Sequence, residues 1–116
     1  MTNKHFKIKT DQIKPLAFGR GSCIATDLIT VAGHKVGYMY REEPDNRLDS
    51  GWRFMSGLES QEYMDNANNL ELYDVNTIAN YDEDIIPLLD SPSGYAFERD
   101  KVSGRLVKVD FAPQED

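Results

Sequence analysis

The sequence predicts an α+β fold, a mostly antiparallel sheet with short helices packed on one side. Three observations lead there. Several short segments alternate apolar and polar side chains, two brief segments carry helix-start signals, and clusters of turn formers separate them. At 116 residues the chain fits a single domain, 1–116, because a second core would be too small to stand alone. Hydrophobic residues at 40% and charged residues at 28% are the proportions of a chain that folds rather than one that stays disordered.

The first dozen residues and the last six, 111–116, are expected to be loosely held termini, with the core beginning near Ser22. Ser22 to Thr26 reads as a strand. Ile29-Thr30-Val31 and the run from Lys35 to Arg41 flank Ala32-Gly33-His34, which predicts a hairpin of two antiparallel strands. In the second of these, Val36, Tyr38 and Tyr40 share one face while Gly37, Met39 and Arg41 share the other. Gly37 there marks a bulge or a close backbone approach.

Glu42 to Ser50 is rich in turn formers and predicts an exposed loop. The chain then returns to the sheet as Trp52 to Ser56, with Trp52 and Phe54 on one face and Arg53 and Met55 on the other. Ser60 can cap a short helix reaching about Asn66. Leu70 to Tyr73 is the next strand, and Asp74 can cap a second short helix through Asn80. Neither helix is long enough to hold without packing on a sheet. Pro87 and Pro92 bracket an irregular buried connection, after which Tyr95 to Arg99 and Arg105 to Val109 supply two more strands.

Several function classes are excluded or disfavoured. One cysteine, Cys23, precludes an internal disulfide and a cysteine-built zinc site. It lies beside Ile24 and Ala25, where a thiol behaves as a small buried hydrophobe rather than a nucleophile. The polar N-terminus has no apolar signal region and no segment approaches the roughly 20 apolar residues of a membrane span, so a cytoplasmic protein without membrane contact is expected. Residues 1–40 carry six Lys or Arg against two Asp, residues 41–100 four Arg against fifteen acids, and residues 101–116 three against three, giving a net charge of −7. That field repels phosphate backbones and argues against nucleic acid, while it steers a basic partner inward.

Asn80, Asp82 and Asp84 alternate as the first ligands of a calcium loop do, but Ile85 stands where glycine is needed and Ser91 where a bidentate glutamate belongs. The segment is a solvated acidic turn or a partner-facing acidic patch, and no metal is expected. Gly19-Arg20-Gly21-Ser22 lacks the Gly-Lys-Ser ending of a phosphate loop and reads as a turn. His5 and His34 fall in a tail and a loop. Trp52 is either a core anchor or an interface hot spot. Arg41 and Arg53 need carboxylate partners, for which Asp49, Glu42 and Asp82 are candidates; such a pair pins the loop to the sheet or forms a recognition site.

Within this pattern, the strand Lys35 to Glu42, the Asp49-Ser50-Gly51-Trp52-Arg53-Phe54 motif, Ser56-Gly57 with Tyr63 beyond it, and Asn76 to Asp82 running into Ile85-Ile86-Pro87 resemble a bacterial family first described as a domain of unknown function. That family is grouped with the immunity proteins of polymorphic toxin systems, as the thirty-third in their numbering. The resemblance covers about Ser22 to Arg99. It implies a non-enzymatic protein that binds and neutralises a cognate toxin domain inside the producing cell, with no cofactor.

Joined to the acidic middle of the chain, this predicts contact through Glu42, Glu43, Asp45 and Asp49 in the loop and Asp82, Glu83 and Asp84 in the acidic turn. The alternative is a small-ligand or regulatory domain whose pocket is formed by Tyr38, Asp49, Trp52 and Arg53. The chain is expected as a monomer or a small homo-oligomer.

Overall fold

The structure, a computed structural model, describes residues 4–111. Its strands are β1 (Ser22–Thr26), β2 (Tyr38–Arg41), β3 (Asp49–Met55), β4 (Leu70–Asp74), β5 (Ala96–Arg99) and β6 (Leu106–Val109). Its α-helical segments are α1 (Asp27–Thr30), α2 (Gln61–Met64) and α3 (Val75–Tyr81), with 3-10 turns at Thr10–Gln12, Ala67–Asn69 and Glu83–Leu88. The strands form one sheet in the order β4-β1-β3-β2-β5-β6. Among the described strands only β1 and β3 run parallel, so the fold is α+β with a mostly antiparallel sheet. Among the described residues no helix is long and apolar enough to cross a membrane.

Cross-strand partners share a face, and the register divides the sheet cleanly. Cys23, Ala25, Met39, Trp52, Phe54 and Phe97 lie on one face. They are buried against Ile29 of α1, Val75, Ile78 and Ala79 of α3, and Ile85 and Leu89 of the segment after it. Val75, Ile78 and Ala79 fall at the i, i+3, i+4 spacing that turns one helix stripe inward. Asp74 starts α3 by accepting the Asn76 N–H, and Ser60 starts α2 by accepting that of Tyr63, as their sequences predict. Trp52 stacks on Phe54 with ring centroids 6.0 Å apart and donates its indole N–H to the Leu89 carbonyl at 3.2 Å. It is a core anchor, 1% exposed.

The expected hairpin between Ile29 and Arg41 does not form. Residues 27–30 make a helical turn, and Gly33, at φ +85°, ends it. The N–H groups of Gly33 and His34 return to the carbonyls of Ile29 and Leu28, each at 3.0 Å, which is the left-handed glycine stop of a helix. β2 therefore begins at Tyr38, preceded by the fully buried Val36. Gly37 is a close approach: a Cβ there would collide with the Ser56 carbonyl.

The exposed loop is also shorter than expected. It ends at Leu48, because Asp49 and Ser50 already belong to β3 and are buried. Between the pairs Ser22↔Asp49 and Ile24↔Arg53, β3 carries more residues than β1 and bulges. Gly51, at φ +88°, makes this turn possible, and a side chain there would strike the Glu42 carbonyl.

Residues 4–17 make specific contacts, Lys4 and Ile8 of the first dozen, expected to be loosely held, among them. The Leu16 and Ala17 N–H groups donate to Asn76 Oδ1 at 2.7 and 2.8 Å, and Lys14 exchanges two hydrogen bonds with the Asn80 amide. The Ile8 N–H donates to the Tyr81 hydroxyl at 3.1 Å, and Lys4 pairs with Asp27 at 2.9 Å. At the other end, Phe111 stacks on Tyr40; residues 112–116 of the expected loose tail lie outside the described residues.

Candidate functional site

Two arginine–carboxylate centres account for most of the expected contact residues. In the first, the β3 bulge brings Asp49 back over Arg53. The Arg53 guanidinium donates to both Asp49 oxygens at 2.9 Å, from Nε to Glu42 at 2.7 Å, and to the Trp52 carbonyl at 3.0 Å. Asp49 also accepts the N–H groups of Asp45 and Gly51, at 2.9 and 3.0 Å. Such two-pronged pairing is the strong, directional form of an ion pair. The Arg53 hydrogen bonds, joined by those two N–H groups against the opposing effect of burial, hold the Asp49 carboxyl well below its usual value. Asp49 in turn pushes Arg53 up. This cluster pins the ends of the 42–48 loop to the sheet.

The second centre joins Asp82 to Arg99, a residue to which the sequence alone assigns no role. The fully buried Asp82 carboxylate accepts from Arg99 and from the Val36 N–H at 3.0 Å, while its other oxygen caps the 3-10 turn through the Asp84 N–H. Arg99 also donates to Asp84 at 2.8 Å and to the Val36 and Gly104 carbonyls at 2.9 Å each, which lowers the Asp84 carboxyl. Asp82 and Asp84 thus serve a turn cap and ion pairs, while Asn80 clasps the Lys14 backbone. Among the described residues no three His, Cys, Asp or Glu side chains group to hold a metal ion.

Of the seven acids expected to face a partner, Asp49 and Asp82 are buried, and Glu42 and Asp84 are held by arginines. Glu43, Asp45 and Glu83 stand exposed, with Asp45 3.7 Å from Arg53. The four residues expected to form a pocket do not share one. Trp52 lies on the covered face of the sheet and Arg53 on the opposite face, as their cross-strand partners Arg41 and Tyr40 do. A hollow of about 120 Å³ does open on the Arg53 side, lined by Ile24, Tyr40, Glu42, Met55, Met64 and Leu70. Among the described residues Arg41 finds no carboxylate; it donates to the Ser50 and Ser91 carbonyls at 2.9 and 2.7 Å and lies over the Trp52 ring.

Cys23 is fully buried, and burial pushes its thiol far up, out of the range of a nucleophile. The face carrying Arg53 has a different character. It presents Tyr38 and Tyr40 of β2, Met55 of β3, Ala96 and Glu98 of β5, and Val107 and Val109 of β6. The rings of Tyr38 and Tyr40 lie 5.7 Å apart, and Phe111 stacks on Tyr40 at 5.1 Å. The sequence alternation along β2 predicts this pairing of tyrosines on one face; the arrival of Phe111 from beyond β6 carries no signal in the sequence.

The family model described as the immunity protein Imm33 domain matches residues 23–110. The match runs past the stretch from Ser22 to Arg99 that carries the resemblance, and it takes in β6. No curated protein and no solved structure shows a significant match to the chain.

Proposed function

Because the chain belongs to the Imm33 immunity protein family, we propose that it is a non-enzymatic protein that binds and neutralises one cognate bacterial toxin domain, in the cytoplasm of the producing cell. Membership over residues 23–110 is the observation that carries this reading. The chemistry of the chain is in keeping with it. Asp49 and Asp82 are committed to arginines and backbone N–H groups, and the one thiol is sealed in the core, so these three groups serve the fold.

The acidic surface proposed for contact narrows to Glu43, Asp45 and Glu83, with Glu42 and Asp84 at their arginines. The middle segment's negative charge would act over distance, drawing a basic toxin surface in and favouring its correct orientation.

The test is protection. Toxin domains encoded beside family members are expressed in a bacterial host with and without this chain. One such domain should arrest growth alone and be tolerated with the chain present. No rescue of any of them, the domain encoded beside this chain's own gene included, with the chain shown to be folded and abundant, would overturn the proposal.

A further inference from the structure

The tyrosine face of the sheet has the composition of a receptor for cations. Tyr38, Tyr40 and Phe111 form a row of neighbouring rings, each half-buried. Carboxylates border it: Glu98 is the cross-strand neighbour of Tyr38, and Glu42 lies beside Tyr40 where it holds Arg53. Leu72 and Val107, on the outer strands of the same face, are 68% and 42% exposed. Met64 of α2 borders one side of it, at the hollow shared with Ile24, Leu70, Tyr40 and Arg53.

Among the described strand residues, unpaired cations are absent from this face in a specific way. Arg41, Arg99 and Lys108 sit on strands of the sheet, but their register places them on the covered face with Trp52, Leu106 and Phe97. Arg53 is the one cation among the strand residues of the tyrosine face, and Asp49 and Glu42 already neutralise it. Among the described strand residues, the face therefore offers π-electron density and carboxylates with no free positive charge.

We infer that this face, centred on Tyr38, Tyr40 and Glu98, is the docking surface for an Arg- or Lys-bearing segment of the toxin. The inference rests on the proposed toxin-binding role and assigns it a place. A guanidinium or ammonium laid on a tyrosine ring is attracted by the ring face and can pair with the carboxylate beside it. Tyrosines at the centre with carboxylates at the rim match the anatomy of an energetic interface. Asp45, 3.7 Å from Arg53, borders the same face, whereas Glu83 belongs to the segment packed behind the sheet. A second copy of this chain is a poor occupant, because it would set one acidic rim against another with no free cation between the strand residues of the two faces.

The probe is an acetylated tetra-arginine peptide amide, titrated into the isotope-labelled protein at low salt, with a tetra-glutamate peptide as control. The arginine peptide should shift the amide signals of Tyr38, Tyr40, Glu98 and Phe111 and leave those around Glu83 in place. Tyr38→Ser and Glu98→Arg should each weaken it by about two- to fivefold, the usual loss for one exposed cation–π or ion-pair contact; Glu83→Arg should not. Glu98 is exposed, so its variant tests the surface even if the tyrosine variant proves unstable.

Shifts centred on Glu83, equal shifts across all acidic segments, or no shifts would each overturn the assignment. So would sedimentation showing a dimer closed through Tyr38 and Tyr40. The protection assay separates the two claims. Full protection by Tyr38→Ser and Glu98→Arg chains would remove this surface and keep the toxin reading. Failure of the wild-type chain to protect, with arginine-peptide binding intact at Tyr38 and Tyr40, would remove the toxin reading and with it the toxin as occupant, leaving only the cation-binding character of the face.

Discussion

Arg53 and Asp49 show how much one bulge decides. Four residues apart on a strand, they would sit on one face too far apart for two-pronged pairing; the extra residues at Ser50 and Gly51 fold Asp49 back onto the guanidinium. The sequence shows that Arg53 needs a carboxylate and names Asp49 and Glu42 as candidates, but it cannot tell a buried lock from a surface patch. Burial decides that, and burial is a property of the whole sheet. Asp49 has a folded pKa held below its ordinary value of about 3.9, so its stabilisation is fully present above that pH and is lost as pH falls through the folded value. Asp49→Asn should cost about 3 kcal/mol at neutral pH, the usual penalty for stripping one partner from a buried pair. The deficit should shrink as the pH drops below about 4. Urea unfolding across that range measures it; a deficit that stays constant with pH would contradict the lock.

At the level of elements, capping and alternation were legible signals. Ser60 and Asp74 start their helices where expected, and β1, β3, β4, β5 and β6 lie close to the segments that alternate or cluster apolar residues. The Ile29-Thr30-Val31 run misleads because β-branched residues favour strands, and a glycine after them serves equally well as a hairpin turn or a helix stop. Tertiary packing chose the helix: Ile29 is fully buried against α3. Asn76, Asn80 and Tyr81 likewise give no hint in the sequence that they clasp residues 8–17, since the partner is a backbone far away along the chain. The bulge is the element most open to a test. Gly51→Ala places a side chain at φ +88° and against the Glu42 carbonyl, so it should destabilise by well over 1 kcal/mol, whereas Gly94→Ala, with φ +93° but open space around it, should cost less. Thermal unfolding of the two variants compares them, and equal losses would place the cost in the backbone angle alone.

For the whole molecule, the fold class and the asymmetry of charge were readable, and the distribution of that charge was not. Counting acids along the chain treats Asp82 and Glu83 alike, yet one is sealed beneath Arg99 and the other faces water. Reversing Glu43 and Asp45 together should therefore slow association with a basic toxin and flatten its salt dependence while leaving the fold intact, because neither carboxylate carries the sheet. Stopped-flow association rates at two salt concentrations would show it; unchanged rates would leave the loop without a steering role.

The most direct test of the account is calorimetric titration of the purified chain with the toxin domain it rescues cells from, at low and at high salt. A tight one-to-one complex that weakens as salt rises, and that Glu98→Arg weakens further, is the predicted result. Rescue without any measurable complex would contradict neutralisation by binding.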